Sequence, residues 1–251
     1  MVDQSRLWDV STARSYDTPG QGMFAPEVIE PTVSTLERLA AGGSVLELAI
    51  GTGRIGVPLL EAGVPVQGIE LSTAMIAQLR EKVDETRLPV VQGDMTTSTC
   101  GAGHRLVYLV FNTIANLLTQ EEQVECFRNA ARHLAAGGCF VVELWVPQLR
   151  ALAPGHGGTV EVSEPGYLLV DTYDLVSQRA TSHHLRFDAP VDGKREASLT
   201  RTPHRYIWPA EMDLMARLAG FTLEDRWADW TGEEFTAESR NHVSVYRREG
   251  E

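Results

Sequence analysis

The sequence has few of the features that would place the protein in a membrane, outside the cell or on a metal ion. It contains no run of about 18 apolar residues, the length that a membrane-spanning helix needs. Its opening segment, MVDQSRLWDV, lacks the apolar stretch of a secretory signal. The three cysteines form no CxxC pair, which excludes a disulfide framework and favours free thiols in a reducing compartment. Scattered His and Cys residues lack the spacing of zinc ligands. These absences predict a cytoplasmic protein without a metal site.

Positive charge is also scarce. The formal net charge is −12 and the basic residues are dispersed, so no basic arm is available for a polyanion. A field of this sign repels phosphate backbones and anionic membranes. We therefore expect no nucleic-acid partner and no membrane partner, and a small, neutral or cationic substrate suits the chain better.

The composition is that of a globular protein. A chain of 251 residues with 43% hydrophobic and 22% charged residues can form one large domain, or a domain with an insertion. Its first two-thirds alternate short β-branched runs with helical patterns, which is typical of a parallel sheet. The predicted strands span 44–49, 64–70, 88–93, 105–111 and 139–146, and the predicted helices span 26–40, 72–86 and 120–135.

The pattern changes after Pro147. Residues 159–207 alternate like antiparallel strands, with a hairpin turn predicted at Asp192-Gly193. A helix that begins at Pro209 and two further strands follow. We divide the chain into an N-terminal helical lid with the first helix (1–43), an α/β core (44–147), an antiparallel insertion over the substrate (148–207), and a closing helix with an antiparallel strand pair (208–251).

A glycine-rich loop follows the first predicted strand. In LELAIGTGRIG, residues 46–56, a strand runs directly into Gly51-Thr52-Gly53 and a helical pattern comes next. Glycines allow unusual dihedral angles and the close approach of a ligand, and the helix start offers unpaired N–H groups. Gly51, Gly53 and Gly56 also spell the GxGxxG fingerprint of dinucleotide binding. The loop alone leaves both nicotinamide and adenosyl ligands open.

Acidic residues lie near this loop and at the ends of the next strands. The carboxylate of Glu70, in GIELS, can accept hydrogen bonds from both hydroxyls of a ribose. Asp94 ends the third strand within reach of an adenine amino group, and Met95 could pack on the ring. Glu47 lies inside the first strand, where an unpartnered carboxylate would cost several kcal/mol. We expect loop N–H groups or a ligand ammonium to satisfy Glu47.

Together these pieces resemble a known family. VLELAIGTGR, GIELS, QGDM and the Phe111-Asn112 strand end resemble the motif series of class I S-adenosylmethionine-dependent methyltransferases, across roughly residues 44–146. The resemblance implies a doubly wound, seven-stranded, mostly parallel Rossmann-like α/β fold, with an antiparallel β insertion after strand 5. It also implies S-adenosyl-L-methionine as cofactor, bound by the 44–147 core.

The resemblance assigns roles to individual residues. It places Ala49, Gly51 and Gly53 against the methionine part, Glu70 on the ribose and Asp94 on the adenine. Ala49 stands where the family most often has a glycine, and its methyl group is tolerable if φ is negative. The full predicted cofactor-binding set is Tyr16, Glu47, Ala49, Gly51, Gly53, Glu70, Leu71, Met75, Asp94, Met95, Phe111 and Asn112.

The leader and the insertion narrow the resemblance. A Tyr16-Asp17 leader and an antiparallel insertion after the fifth strand resemble the amino-sugar and glycine N-methyltransferase group, in which the leader tyrosine lines the site near the sulfonium. Asn116 stands where the amino-sugar enzymes often carry a His, which puts that general base in doubt here. The candidate catalytic residues are Tyr16, His183, His184 and His204. Because side chains alternate along a strand, only one of His183 and His184 can face the acceptor.

The predicted function is therefore transfer of a methyl group to an N or O atom of a small-molecule acceptor, as in secondary metabolism, by a chain that could also pair as a homodimer. One alternative is a protein of the same fold that uses the adenosyl site for a cyclisation or for binding alone. A second is an NAD-dependent oxidoreductase, although no Tyr-x-x-x-Lys pair for hydride transfer is evident. Methylation of a protein or a nucleic acid is a third.

Overall fold

The computed structural model describes residues 8–187 and 196–250. The turn predicted at Asp192-Gly193 lies outside these residues. Within the described part of the chain, no helix is long and apolar enough to cross a bilayer. No group of three or more His, Cys, Asp and Glu side chains in the same part could hold a metal ion.

Two sheets contain all the described strands. In chain order these are β1 (Val45–Leu48), β2 (Val66–Glu70), β3 (Val90–Gln92), β4 (His104–Leu109), β5 (Leu134–Trp145), β6 (Gly158–Glu164), β7 (Tyr167–Asp174), β8 (Arg179–Phe187), β9 (Ala197–Arg205), β10 (Phe221–Trp227) and β11 (Asn241–Arg248). The large sheet has seven strands in the order β10-β11-β5-β4-β1-β2-β3. β1 to β5 are parallel, and β11 pairs antiparallel with β5 and with β10. The predicted doubly wound, seven-stranded, mostly parallel fold is confirmed.

Over residues 8–187 and 196–250, six α-helices accompany the strands: α1 (Val10–Tyr16), α2 (Pro26–Ala40), α3 (Gly56–Glu61), α4 (Thr73–Arg80), α5 (Gln120–His133) and α6 (Pro209–Leu218). α2 has the predicted bounds and begins with proline, whose fixed φ suits the first helical position. α5 begins with a capping box, in which the Thr119 and Glu122 side chains each accept from the other's backbone N–H.

The prediction that the helix after Ser72 continues to Thr86 is wrong, because α4 ends at Arg80. The Asp84 carboxylate accepts hydrogen bonds from the backbone N–H groups of Thr86 (2.9 Å) and Arg87 (3.0 Å). This local turn offers the backbone an alternative to the helical ladder.

The large sheet is covered on both sides, as parallel strands require. Alternate residues of β1, β4 and β5 enter two separate core clusters. Leu46, Val107 and Phe140 lie in one, together with side chains of α5 and α6. Val45, Leu106 and Val141 lie in the other, with side chains of α2 and α3. Buried on both faces, the sheet leaves its edge at the carboxyl ends of the strands as the place for a ligand.

The insertion forms the second sheet, which is antiparallel in the order β6-β7-β8-β9. β9 packs against the helical turn Thr113–Asn116, which follows β4. The second sheet therefore lies beside the carboxyl edge of the first.

Candidate functional site

The loop after β1 is built from left-handed residues. φ is +53° at Ala49, +59° at Gly51 and +80° at Gly53. The Ile50 N–H still donates to Ile69 O of β2 (3.1 Å), and the Gly53 N–H then donates to Ile50 O (3.0 Å), which closes a turn over residues 50–53. The condition under which the Ala49 methyl group would be tolerated, a negative φ, is not met in the structure. A residue with a Cβ is strained there.

The two loop glycines serve different purposes. A Cβ on Gly53 would overlap Leu79 Cδ1 and would lie 2.8 Å from Val57 Cγ2, so Gly53 lets the loop pack on its neighbours. A Cβ on Gly51 would meet no atom closer than Ala49 O, at 4.0 Å. The loop thus presents an open backbone surface at Gly51.

Glu70 joins the glycine loop to the start of α4. Its Oε2 accepts from the Gly51 N–H (2.8 Å) and its Oε1 accepts from the Ser72 N–H (2.7 Å). The residue is only 6% exposed, and burial raises its pKa while these N–H groups favour the charged form. A carboxylate offers roughly four lone-pair sites, so Glu70 can accept further hydrogen bonds.

Glu47 is satisfied from inside the protein. The Tyr108 hydroxyl donates to Glu47 Oε2 (2.9 Å), and the backbone N–H of Gly56 also favours the carboxylate. Burial nevertheless raises the pKa of Glu47 to about 8. A loop N–H group or a ligand ammonium was expected as the partner of Glu47, and the Gly56 N–H is such a loop group. Tyr108 was missed because it lies on another strand.

Arg54 is a charged group of the site that sequence reasoning missed. Its guanidinium lies 5.1 Å from the ring centroid of Phe111 and donates to Met23 O (3.1 Å). Its positive charge also lowers the pKa values of Glu47 and Tyr16, against the larger effect of their burial. Its position inside the glycine loop was the available signal.

The N-terminal leader, which contains Trp8, Tyr16 and Asp17, is bound to the glycine loop by side-chain contacts. Asp17 Oδ1 accepts from the Thr52 hydroxyl (2.6 Å), and Asp17 also forms an ion pair with Lys82. Lys82 donates to Thr52 O (2.7 Å), and the Ser72 hydroxyl donates to Trp8 O (2.6 Å). We call this set of contacts the leader clasp. It joins the leader to the glycine loop at Thr52 and to Ser72 and Lys82, on either side of α4.

Tyr16 lies within this closed leader. Its ring meets those of Trp8 and Phe24 edge-on, at centroid distances of 5.9 and 6.0 Å. Burial raises the pKa of Tyr16, so its hydroxyl stays protonated at neutral pH.

The residues predicted for the adenine surround the ends of β2 and β3. Asp94 Oδ1 accepts from the backbone N–H and the hydroxyl of Thr96, both at 2.7 Å, and so closes a turn. Met75 is buried, Leu71 is exposed, and Met95 is partly buried against the core. The turn holds Asp94 at the strand edge.

The carboxyl end of β4 is strained. Phe111 and Asn112 both have positive φ, +54° and +63°. The Phe111 N–H donates to Glu143 Oε2 and the Trp145 N–H donates to Asn112 Oδ1, both at 2.7 Å. Such strain persists only where surrounding contacts enforce it, and it is common at ligand sites.

The structure separates the histidines of the insertion. His184 and His204 lie on one face of the second sheet, in the rows of Leu169 and Tyr173 respectively, and His183 lies on the other. His183 Nε2 pairs with the Thr172 hydroxyl (3.0 Å) and His184 Nδ1 with the Tyr167 hydroxyl (2.7 Å). Burial lowers the pKa of His184, and lowers that of His204 to about 4.

Aromatic contacts give the orientation of these faces. The ring of Tyr173 contacts that of Tyr206 (6.3 Å), which in turn contacts Trp145 at the end of β5 (6.4 Å). The face that carries His184 and His204 therefore turns toward the carboxyl end of β5. We call it the inner face. His183 lies on the outer face.

Comparison with known proteins adds independent findings. A family model described as a methyltransferase domain matches residues 45–138. The cypemycin N-terminal methyltransferase from Streptomyces sp is 29% identical over 260 residues, which cover 99% of this chain and 100% of that protein. The CcbJ methyltransferase from Streptomyces caelestis superposes with a TM-score of 0.81 at 35% identity, covering 95% of this chain and 96% of that one. The sugar N-methyltransferase KedS8 from Streptoalloteichus sp ATCC 53650 superposes with a TM-score of 0.61 at 25% identity, covering 88% and 87%.

Proposed function

The chain belongs to the class I S-adenosylmethionine-dependent methyltransferases, and from this membership we propose that it transfers a methyl group from S-adenosylmethionine to an amine nitrogen of a small molecule. The observation that carries the proposal is the Glu70 carboxylate. It is buried between the glycine loop and α4, held by two N–H groups, and still able to accept hydroxyl donors.

The residues at this edge fit such a cofactor. Gly51 leaves open space beside the loop backbone, where a side chain would stand in the way. In our proposal Glu70 accepts both ribose hydroxyls, and Asp94 binds the adenine amino group. Arg54 offers a cation for the methionine carboxylate. Tyr16 and Phe111 flank the reacting end. The remaining predicted residues line the proposed cofactor site: Leu71, Met75, Met95 and Asn112.

When bound, S-adenosylmethionine supplies an electrophilic methyl group on its sulfonium. The protein contributes position, because holding two reactants in an attacking geometry can supply about 7–11 kcal/mol of the barrier. The leader clasp excludes water from the pair, because Asp17, next to Tyr16 in the chain, holds the leader against Thr52 of the glycine loop.

A nitrogen acceptor is proposed because one related protein is named a sugar N-methyltransferase and another is named an N-terminal methyltransferase. An attacking amine must be neutral and sheds a proton after transfer. His184 and His204 are both neutral at pH 7 and lie on the inner face, and we assign His184 to take that proton. His183 has no such role in our proposal. The homodimer, the cytoplasmic location, the absence of nucleic-acid and membrane partners and the four-part division of the chain remain predictions.

The test is the affinity for S-adenosylhomocysteine, measured by calorimetry, of the wild type and of Glu70→Ala. Hydrogen bonds to a charged group contribute about 1.5–3 kcal/mol each, so losing both ribose contacts should cost about 3–6 kcal/mol, and we expect affinity to fall by about 100-fold or more. Glu61→Ala, at the exposed end of α3, is the control. A larger thermal shift with NAD than with S-adenosylhomocysteine would contradict the cofactor assignment.

Glu70 also holds the loop, so a second comparison isolates its contact with the ligand. S-adenosylhomocysteine lacking the ribose hydroxyls should bind the wild type more weakly than the parent compound. It should bind Glu70→Ala about as well as the parent does. Unchanged affinity of Glu70→Ala for the parent compound would refute the proposal.

A further inference from the structure

We propose that Asp171, together with His204, recognises hydroxyl groups of the methyl acceptor, so that the preferred substrate is a hydroxyl-bearing amine. The inference rests on the proposed methyl transfer to an amine and names the residues that select the acceptor.

The first observation is a buried carboxylate oxygen without a partner. Asp171 lies in the middle of β7, and no donor among the described residues is hydrogen-bonded to its buried Oδ1. Burial raises the pKa of Asp171, although the Ser182 hydroxyl, directly across on β8, favours the charged form. Leaving such an atom unpaired costs about 1–3 kcal/mol or more, which a ligand donor would recover.

The second observation is a buried imidazole nitrogen that also lacks a hydrogen-bond partner. His204 Nδ1 has no hydrogen-bond partner among the described residues. His204 lies across from Ala180 on β8, and Ala180 lies across from Tyr173 on β7. The row of Asp171, Ser182 and Thr202 is the next row on the same face. Both unpartnered atoms therefore belong to the inner face.

The inner face is turned toward the carboxyl end of β5, where we propose that methyl transfer takes place. Tyr173 contacts Tyr206, and Tyr206 contacts Trp145 at the end of β5. On the outer face, Thr172 is exposed and pairs with His183. β7 and β9 lie about 10 Å apart, with β8 between them, so a ring with hydroxyls on two sides can approach both residues.

The chemistry selects the kind of group bound. An ionised carboxylate only accepts hydrogen bonds, so Asp171 needs a donor from the ligand. The reacting nitrogen must be neutral to attack, and pairing it with a carboxylate would favour the unreactive ammonium form. The donor is therefore a separate group of the acceptor. A hydroxyl meets this requirement and also pairs with a neutral imidazole nitrogen.

The experiment compares two amines of similar ring size, D-glucosamine and cyclohexylamine, as acceptors with a labelled methyl donor. We expect wild type to prefer glucosamine and Asp171→Ala to lose that preference by about tenfold or more, mainly in KM. Asp171→Asn, which keeps an acceptor oxygen, should lose less. His204→Phe should change the preference in the same direction. Thr172→Ala, next in the chain but on the outer face, is the matched control. Unfolding temperature and S-adenosylhomocysteine affinity report whether each variant is folded.

A glucosamine preference that survives in Asp171→Ala, or a wild type that does not discriminate, would overturn the inference. If wild type binds S-adenosylhomocysteine but methylates neither amine, both amines are titrated into that complex. A weaker affinity of Asp171→Ala for glucosamine alone supports the inference, and equal affinities overturn it. Failure to bind S-adenosylhomocysteine would instead refute the proposed function, and this inference with it.

Discussion

The buried carboxyl of Glu47 is expected to make the free energy of unfolding decrease as the pH rises. Its pKa is raised from 4.5 to about 8, chiefly by burial, so the folded state holds a proton that the unfolded chain releases. Stability must then fall as pH rises, beginning near the unfolded pKa and ending above the folded one. At about 1.36 kcal/mol per pKa unit, the linkage between pH of about 5.5 and 8.5 amounts to roughly 3 kcal/mol.

The variant Glu47→Gln removes the titrating carboxyl group and keeps the shape of the side chain. The free energy of unfolding, measured in urea across that pH range, should rise in the variant relative to wild type by roughly 3 kcal/mol from the lowest to the highest pH. The difference between the two proteins is the informative quantity. His204 and His242 have lowered pKa values, so their protonation destabilises the fold in acid, with the opposite sign, and this effect cancels in the difference.

Tyr108→Phe is the companion variant. The Tyr108 hydroxyl donates to Glu47 Oε2 and favours the charged form, so its removal should raise the pKa of Glu47 further and extend the loss of stability to higher pH. If the unfolding free energies of wild type and Glu47→Gln run parallel across the pH range, the carboxyl is ionised throughout and the reasoning is refuted.

Two further predictions concern the loop and the leader. Ala49→Gly relieves the strain of a left-handed alanine and should stabilise the protein by about 1 kcal/mol, or roughly 2–4 °C in Tm. Ala62→Gly, at a φ of −71°, should not stabilise it, and a lower Tm for Ala49→Gly would contradict the argument. Asp17→Ala breaks the leader clasp and should speed the release of S-adenosylhomocysteine by about tenfold or more in stopped-flow measurements. An unchanged release rate would show that the leader does not control the release of the ligand.

The core of the fold was predictable because its signals are local. Short β-branched runs alternate with helical periods, and Gly51 and Gly53 follow directly on a buried strand. The positions of Glu70 and Asp94 followed from the same pattern, since parallel strands end at one edge of a sheet. The sign of φ at Ala49 did not follow, because it depends on where the chain turns after β1.

Partners that are distant in the sequence could not be predicted. Tyr108 reaches Glu47 from a neighbouring strand, and Lys82 reaches Asp17 from the end of α4. No spacing rule relates such pairs, because their contact depends on the assembled sheet and on the path of the leader. The ion pair of Asp17 became visible only when the structure placed the leader over the glycine loop.

The insertion shows most clearly what could not be predicted from the sequence. Alternation along β8 predicts that His183 and His184 face opposite ways, but it cannot say which of them faces the ligand. The packing of Tyr173 on Tyr206 and of Tyr206 on Trp145 shows that the face of His184 turns toward the end of β5, and on this we base the proposal that His184 faces the acceptor. Asp171 looks from sequence like any charged residue on a solvated strand, and only the covered inner face turns it into a buried, unpaired acceptor. The proposed cofactor-binding residues thus lie mainly in contiguous motifs, whereas the proposed acceptor-selecting residues depend on contacts between segments that are distant in the sequence.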